Sequence, residues 1–184
     1  MALHTKVSHT LSVCGLTMSN FGGKMNRIEK TREAIDDLLF ERKNIRNRLI
    51  THTHLTSVAL LCGLIAKKRG VNIELSIMVG LLHDLHSFIT EGVPPIEDKI
   101  AKSNKDADVA REILENLNIT SPDETNAICK AVCYRGTGEY SELGEILLDA
   151  NLLQHAYHNP LLPVKYGEKR VIELRAEFGI SSEA

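Results

Sequence analysis

From Met25 onward, apolar residues recur at intervals of three and four, and strand-like alternation is nearly absent, so the chain predicts an all-α fold. A first helix is expected over about 26–40, with Ile28, Ile35, Leu38 and Leu39 turned inward and Glu29, Lys30, Glu33 and Asp36 left to water. A basic link from Arg42 to Arg48 follows. The next helix is expected from near Thr51 to Arg69, with Val58, Leu61, Cys62 and Ile65 as its buried stripe; Gly70 closes it, because glycine enters the left-handed C-cap conformation without penalty. Asn72 then offers a side-chain oxygen to cap a third helix. Leu75, Ile77, Met78, Val79, Leu81 and Leu82 make that helix apolar on almost every side, which predicts a central, buried position. Gly92-Val93-Pro94-Pro95 stops any continuation, since proline lacks an amide donor and disfavours helix at the residue before it.

A fourth helix is expected from about Lys105 to Leu117, carrying Val109, Ile113 and Leu117. Ser121-Pro122-Asp123-Glu124 combines a capping box with proline at the first helical position and starts a fifth helix, which carries Ile128, Ala131 and Val132 and ends near Gly136. A sixth presents Leu143, Ile146, Leu147, Leu152 and Leu153. A last one near Lys165 to Phe178 completes a compact bundle of about six to seven helices. Residues 1–24 mix Ser, Thr, His and Gly without periodicity, and they fail as a secretory signal because polar residues interrupt the apolar region. They are expected to form an irregular arm or leader, or to lie upstream of a true start at Met25, with residues 25–184 as one helical domain.

Composition narrows the function. With 184 residues, 43% apolar and 25% charged, the chain suits one domain with a real core. A net charge of -2 gives no electrostatic reason to expect a nucleic acid polymer or an anionic membrane as partner, and Lys67-Lys68-Arg69 is too short a basic run to alter that. Cys14, Cys62, Cys129 and Cys133 show no paired CxxC spacing and read as reduced thiols, which points to a cytoplasmic protein. Cys129 and Cys133 stand one helical turn apart, a spacing open to a soft metal, but core packing explains them more simply.

The chemistry concentrates at His83-Asp84, at the end of the most apolar helix. A carboxylate beside an imidazole in such surroundings is costly unless something compensates it. A divalent metal ion would do so, as would a plain hydrogen-bonded pair capping the helix; on the dipeptide alone the capping pair is the simpler explanation. Two other polar residues in apolar stretches also need partners: His54, in His54-Leu55-Thr56-Ser57-Val58-Ala59, and Asp149, in Ile146-Leu147-Leu148-Asp149-Ala150-Asn151.

A distant His, an adjacent His-Asp pair and a later Asp on another helix resemble the pattern of the HD superfamily. The matching residues are His54, His83 with Asp84, and Asp149. The intervening text fits too: Val58 four residues after the first His, the Ala-Lys-Lys-Arg-Gly helix end, Gly-Leu-Leu before His-Asp, and Ala110-Arg111-Glu112-Ile113-Leu114 after it. The resemblance covers residues 50–155 and implies an all-helical HD-domain bundle in which these four residues hold one divalent metal ion (Mn, Fe, Co, Ni, Zn or Mg), usually in a phosphohydrolase. His52 is the other histidine near this position. Two residues apart on a helix means nearly opposite faces, so the Val58 register selects His54 and sends His52 to solvent.

Relatives with two metals carry further histidines on the fourth and fifth helices, where this chain has Lys102 or Ser103 and then Tyr134-Arg135. A mononuclear site is therefore expected, which suits a nucleotidase or related phosphomonoesterase better than oxygenase or cyclic-dinucleotide chemistry. The expected mechanism is hydrolysis of a small-molecule phosphate ester by a metal-activated water, with Asp84 ligating and orienting that water. His86 is a candidate proton donor, Glu91 a weaker one, and Lys102 and Arg135 are candidate phosphate contacts; solvated helix ends are the competing explanation for all of them. His155 and His158 share a face at i,i+3 spacing ahead of a proline, and ordinary surface or interface roles are expected for them. The alternative to an enzyme is a non-catalytic HD-fold module for ligand sensing or protein association, and a homo-oligomer is compatible with either.

Overall fold

The computed structural model describes residues 26–41, 44–89, 99–133, 140–158 and 168–180, and every regular element among them is helical. Helix α1 (Arg27–Phe40) starts at Asn26, whose side chain accepts from the Glu29 amide while Glu29 returns a bond to the Asn26 amide. Helix α2 (Ile45–Arg69) is capped by Asn44 and closed by Gly70 at φ 72°. It therefore begins six residues before the expected Thr51, taking in half of the stretch anticipated as a basic link. The reason is visible in its burial: Ile45, Leu49 and Ile50 are all exposed, so this first turn and a half has no inward stripe for periodicity to detect.

Helix α3 (Ile73–Leu82) starts where Asn72 accepts from the Leu75 amide, and a two-residue break separates it from the single turn α4 (Leu85–Ile89). Helix α5 (Lys99–Leu117) also starts earlier than expected, six residues before Lys105. Its first half buries Ser103 and Asp106 while Ile100 stays exposed, an inverted pattern that hydrophobic spacing does not register. Helix α6 (Pro122–Val132) has the capping box and N1 proline anticipated at Ser121. Helices α7 (Glu142–His158) and α8 (Glu168–Glu177) complete the described elements. Among the described residues the bundle thus has seven helices of two turns or more plus α4.

Helix α3 occupies the centre, packed by α1, α2, α6 and α7. Met78, Val79 and Leu82 are fully buried, and each such side chain contributes roughly 1.5–3 kcal/mol through apolar area removed from water. The closest approach is at Gly80, where an added Cβ would come within 2.5 Å of the Ala59 Cα. Only a glycine lets α2 and α3 meet at this distance, and the meeting point lies five residues after His54 on α2 and three before His83 on α3. Helix α2 is long and apolar enough to cross a membrane by length and composition. Here it is a core helix: Val58, Cys62, Ile65 and Ala66 are completely buried against α3 and α7. Arg27 ties α1 to two other helices, donating to Glu124 at 2.9 Å and also to Glu74. Those guanidinium bonds hold the Glu74 carboxyl below the usual carboxylate range, and at Glu124 the Ser121 amide and Arg27 do the same.

Candidate metal centre

Helix α3 ends because His83 leaves helical geometry for extended backbone (φ -73°, ψ 155°), and Asp84 follows at φ 56°. The left-handed region is disfavoured for residues with a Cβ, and Asp tolerates it better than most because its short polar side chain can bond locally. The break turns both side chains toward α2. His83 is buried, and its Nδ1 lies 2.6 Å from the Gly80 carbonyl oxygen. A carbonyl only accepts, so Nδ1 carries the proton and the Nε2 lone pair faces the other way. His83 Nε2 stands 3.0 Å from His54 Nε2, the two rings being 5.0 Å apart between centroids. Together with Asp84, these two imidazoles offer one ligand atom each, all within 4.8 Å of one another.

This donor set fits a divalent ion. The Gly80 carbonyl holds the His83 Nδ1 proton and orients the ring, as backbone acceptors do for ligating imidazoles, and the carboxylate supplies the one negative charge. His54 and His83 would direct Nε2, and Asp84 a carboxylate oxygen, at such an ion.

Lys102 enters the site from α5. Its Nζ donates to Asp84 Oδ1 at 2.7 Å and to Asp106 Oδ2 at 3.2 Å. Asp106 is almost fully buried and its other oxygen accepts the His86 amide at 2.9 Å, so one carboxylate anchors both the ammonium and the start of α4. Burial pushes the Asp106 carboxyl above its ordinary range, with the Lys102 charge opposing that shift. Asp106 was missed by sequence reasoning. The available signal was its i,i+4 spacing from Lys102, which resembles the surface ion pairs of many helices. Lys102, rather than Ser103, is the residue that α5 turns toward Asp84; Ser103 is buried.

Asp149 does not join the triad. It is 2% exposed in its side chain, receives Arg69 Nη1 at 2.7 Å on one oxygen and Arg170 on the other, and the two arginines are held in turn by Glu177 and Glu145. Its charge also acts, after burial itself, to push up the Cys62 thiol. Asp149, expected as the fourth ligand, thus stands apart from the three converging donors, with its carboxylate bound by two guanidiniums.

From α7, His155 approaches His54, its ring centroid 5.7 Å from that of His54. It is exposed, as a surface residue should be, yet it borders the site. One turn earlier on α7, Asn151 is buried. Phe88 of α4 closes another side of His54 at 6.0 Å between centroids. His52 faces solvent as its register required and pairs with Asp36 at 3.4 Å. Cys62, Cys129 and Cys133 are free thiols, and Cys133 donates to Asn104 Oδ1. His86 is half-buried beside the site, whereas Arg135 and Glu91 lie outside the described residues.

A family model described as HD domain matches residues 51–165, more than half of the chain. No curated protein and no solved structure matches it. The matched segment runs from the second turn of α2 past the end of α7, and so contains the triad, Lys102, Asp106, Asp149 and His155. With an all-helical bundle and a His, His-Asp cluster formed inside the matched segment, the chain belongs to the HD-domain family.

Proposed function

We propose that the protein is a metal-dependent phosphohydrolase that hydrolyses a nucleotide or another small phosphate ester at a single divalent ion. The observation that carries this is the convergence of His54, His83 and Asp84 on a common point, with the His83 tautomer set by Gly80. A divalent ion bound there supplies Lewis acidity, lowering the pKa of a bound water and polarising a phosphoryl oxygen.

The chain's own residues have separable tasks. His54 and His83 hold the ion without adding charge. Asp84 holds it with one oxygen and keeps Lys102 beside the site through Oδ1. In this reading Lys102 offers its ammonium to the substrate phosphate, its position set by Asp106, while Arg135 adds a second phosphate contact. His86, whose backbone is pinned by Asp106, is the proposed proton donor to the leaving group. Leu82 and Leu85, both fully buried around the His-Asp break, limit water to the open side.

One feature favours a second reading. Lys102 already neutralises Asp84, which is what a non-catalytic HD-fold module would need if it kept the fold for ligand sensing or association. A panel of phosphate esters assayed with Mn, Co, Ni and Mg separates the two. Metal-dependent turnover lost in His83→Ala and Asp84→Ala supports the hydrolase, whereas stoichiometric metal with no turnover on any ester supports the module.

A further inference from the structure

The second half of α1 and the segment that follows it carry opposite charge. Glu33, Asp36, Asp37 and Glu41 are the only charged residues of 33–41, and Arg42, Lys43, Arg46 and Arg48 the only ones of 42–48. Four acids are thus followed directly by four bases, and after them residues 49–66 hold no Asp, Glu, Lys or Arg. Where the two blocks meet, Phe40, Ile45 and Leu49 line a hollow of about 250 Å³ between α1 and α2, together with Asp36, Arg48 and His52. The three apolar side chains face water: Phe40 is 79% exposed, Ile45 63% and Leu49 64%. Large apolar side chains grouped at such exposure mark an association surface. Asp36 pairs with His52 at 3.4 Å, and Arg48 donates to the Phe40 carbonyl at 3.1 Å while standing 5.5 Å from the centroid of the Phe40 ring, so the hollow has a defined shape.

We propose that this corner is the interface between two copies of the chain, related by a two-fold axis that sets the acidic block of each against the basic block of the other. The charge pattern selects that occupant. A nucleic acid or an anionic membrane would meet the acids as well as the bases, and a cationic partner would meet the bases as well as the acids. A second copy turned through 180° offers acids to bases twice, because every pairing in an isologous contact occurs two times. Phe40, the large aromatic at the junction of the blocks, then packs against Ile45 and Leu49 of the second copy. An isologous contact uses up its own surface, so association stops at two chains. The hollow is separate from the metal site: His52 lines it, whereas His54, two residues on, lies on the nearly opposite face of α2 beside His83.

The test is sedimentation velocity of the full-length protein over a range of concentrations. The unsubstituted chain should form a dimer and nothing larger. Phe40→Glu should weaken association at least ~tenfold, with helical content unchanged because the side chain it replaces is exposed. Arg48→Glu and Asp36→Lys, made singly, each set like charges across the axis twice and should weaken it by a similar factor. The double variant carrying both reversals should return to within ~threefold of the unsubstituted dimer. Both residues lose their bonds within the chain in that variant, so its recovery reports contact between copies. A monomer at every concentration up to ~1 mM would overturn the proposal and leave the corner to a partner of other chemistry. An assembly larger than two, a dimer indifferent to Phe40→Glu, or a double variant no better than either single one would overturn it as well.

Discussion

The two ends of α2 each border an aspartate that sits in an apolar stretch of sequence, and the structure treats them in opposite ways. At the N-terminal half, Asp84 is 17% exposed, held by one ammonium, and adjacent to two imidazoles whose Nε2 atoms face each other. At the C-terminal end, Asp149 is 2% exposed and has both oxygens occupied by guanidiniums. A carboxylate neutralised on both sides is a structural tie. One paired with Lys102 and set beside two imidazoles stays grouped with donors that can bind an ion. What separates them is their partners, which come from distant parts of the chain.

The largest effect on stability should come from breaking the tie. Asp149→Ala removes the acceptor shared by two arginines, each of which keeps one glutamate, and should lower unfolding free energy by about 3 kcal/mol in chemical denaturation. A loss below a tenth of that would mean the clamp is not formed in solution. Gly80→Ala comes next, at about 2 kcal/mol, because its Cβ would meet the Ala59 backbone and push α3 away from α2. It should also lower metal affinity at the other end by displacing His83, whereas a variant with unchanged metal affinity would uncouple the helix contact from the site. Arg170→Gln leaves Asp149 with Arg69 alone and should cost about 1–2 kcal/mol in the same assay, without altering metal content.

The smallest effect is one of pH. Arg69 holds the Glu177 carboxyl below its ordinary value of 4.5, so this group binds fewer protons in the folded chain than in the unfolded one. Its contribution is complete above about pH 4.5 and fades as pH falls through the lower folded value; for a partly exposed pair it amounts to about 1 kcal/mol or less. Thermal midpoints of the native chain and Glu177→Gln should converge in that acid range and differ above it. Midpoints that stay parallel at every pH would remove Glu177 from the clamp.

Much of the fold was legible because burial and periodicity coincide in α3, α6 and α7, and because Asn72 and Ser121 are capping residues in side chain as well as in position. The early starts of α2 and α5 were not, since one opens with exposed apolar residues and the other buries Ser103 and Asp106. At the site, His54, His83 and Asp84 were accessible from spacing and from the family pattern. Asp106 was hidden because a carboxylate one turn from a lysine looks like any surface pair. At Asp149 the arginine pairs were hidden because apolar neighbours demand a partner without saying which. Its partners, Arg69 and Arg170, lie 80 and 21 residues away.

Metal stoichiometry in two amide variants tests the account most directly. Asp84→Asn is isosteric, and Asn tolerates left-handed backbone, so the turn persists while the anionic ligand is lost. Asp149→Asn retains the shape of the clamp. The account predicts one divalent ion per chain in the unsubstituted protein and in folded Asp149→Asn, and loss of it in Asp84→Asn. A folded Asp149→Asn that binds no metal, beside an Asp84→Asn that still does, would contradict it.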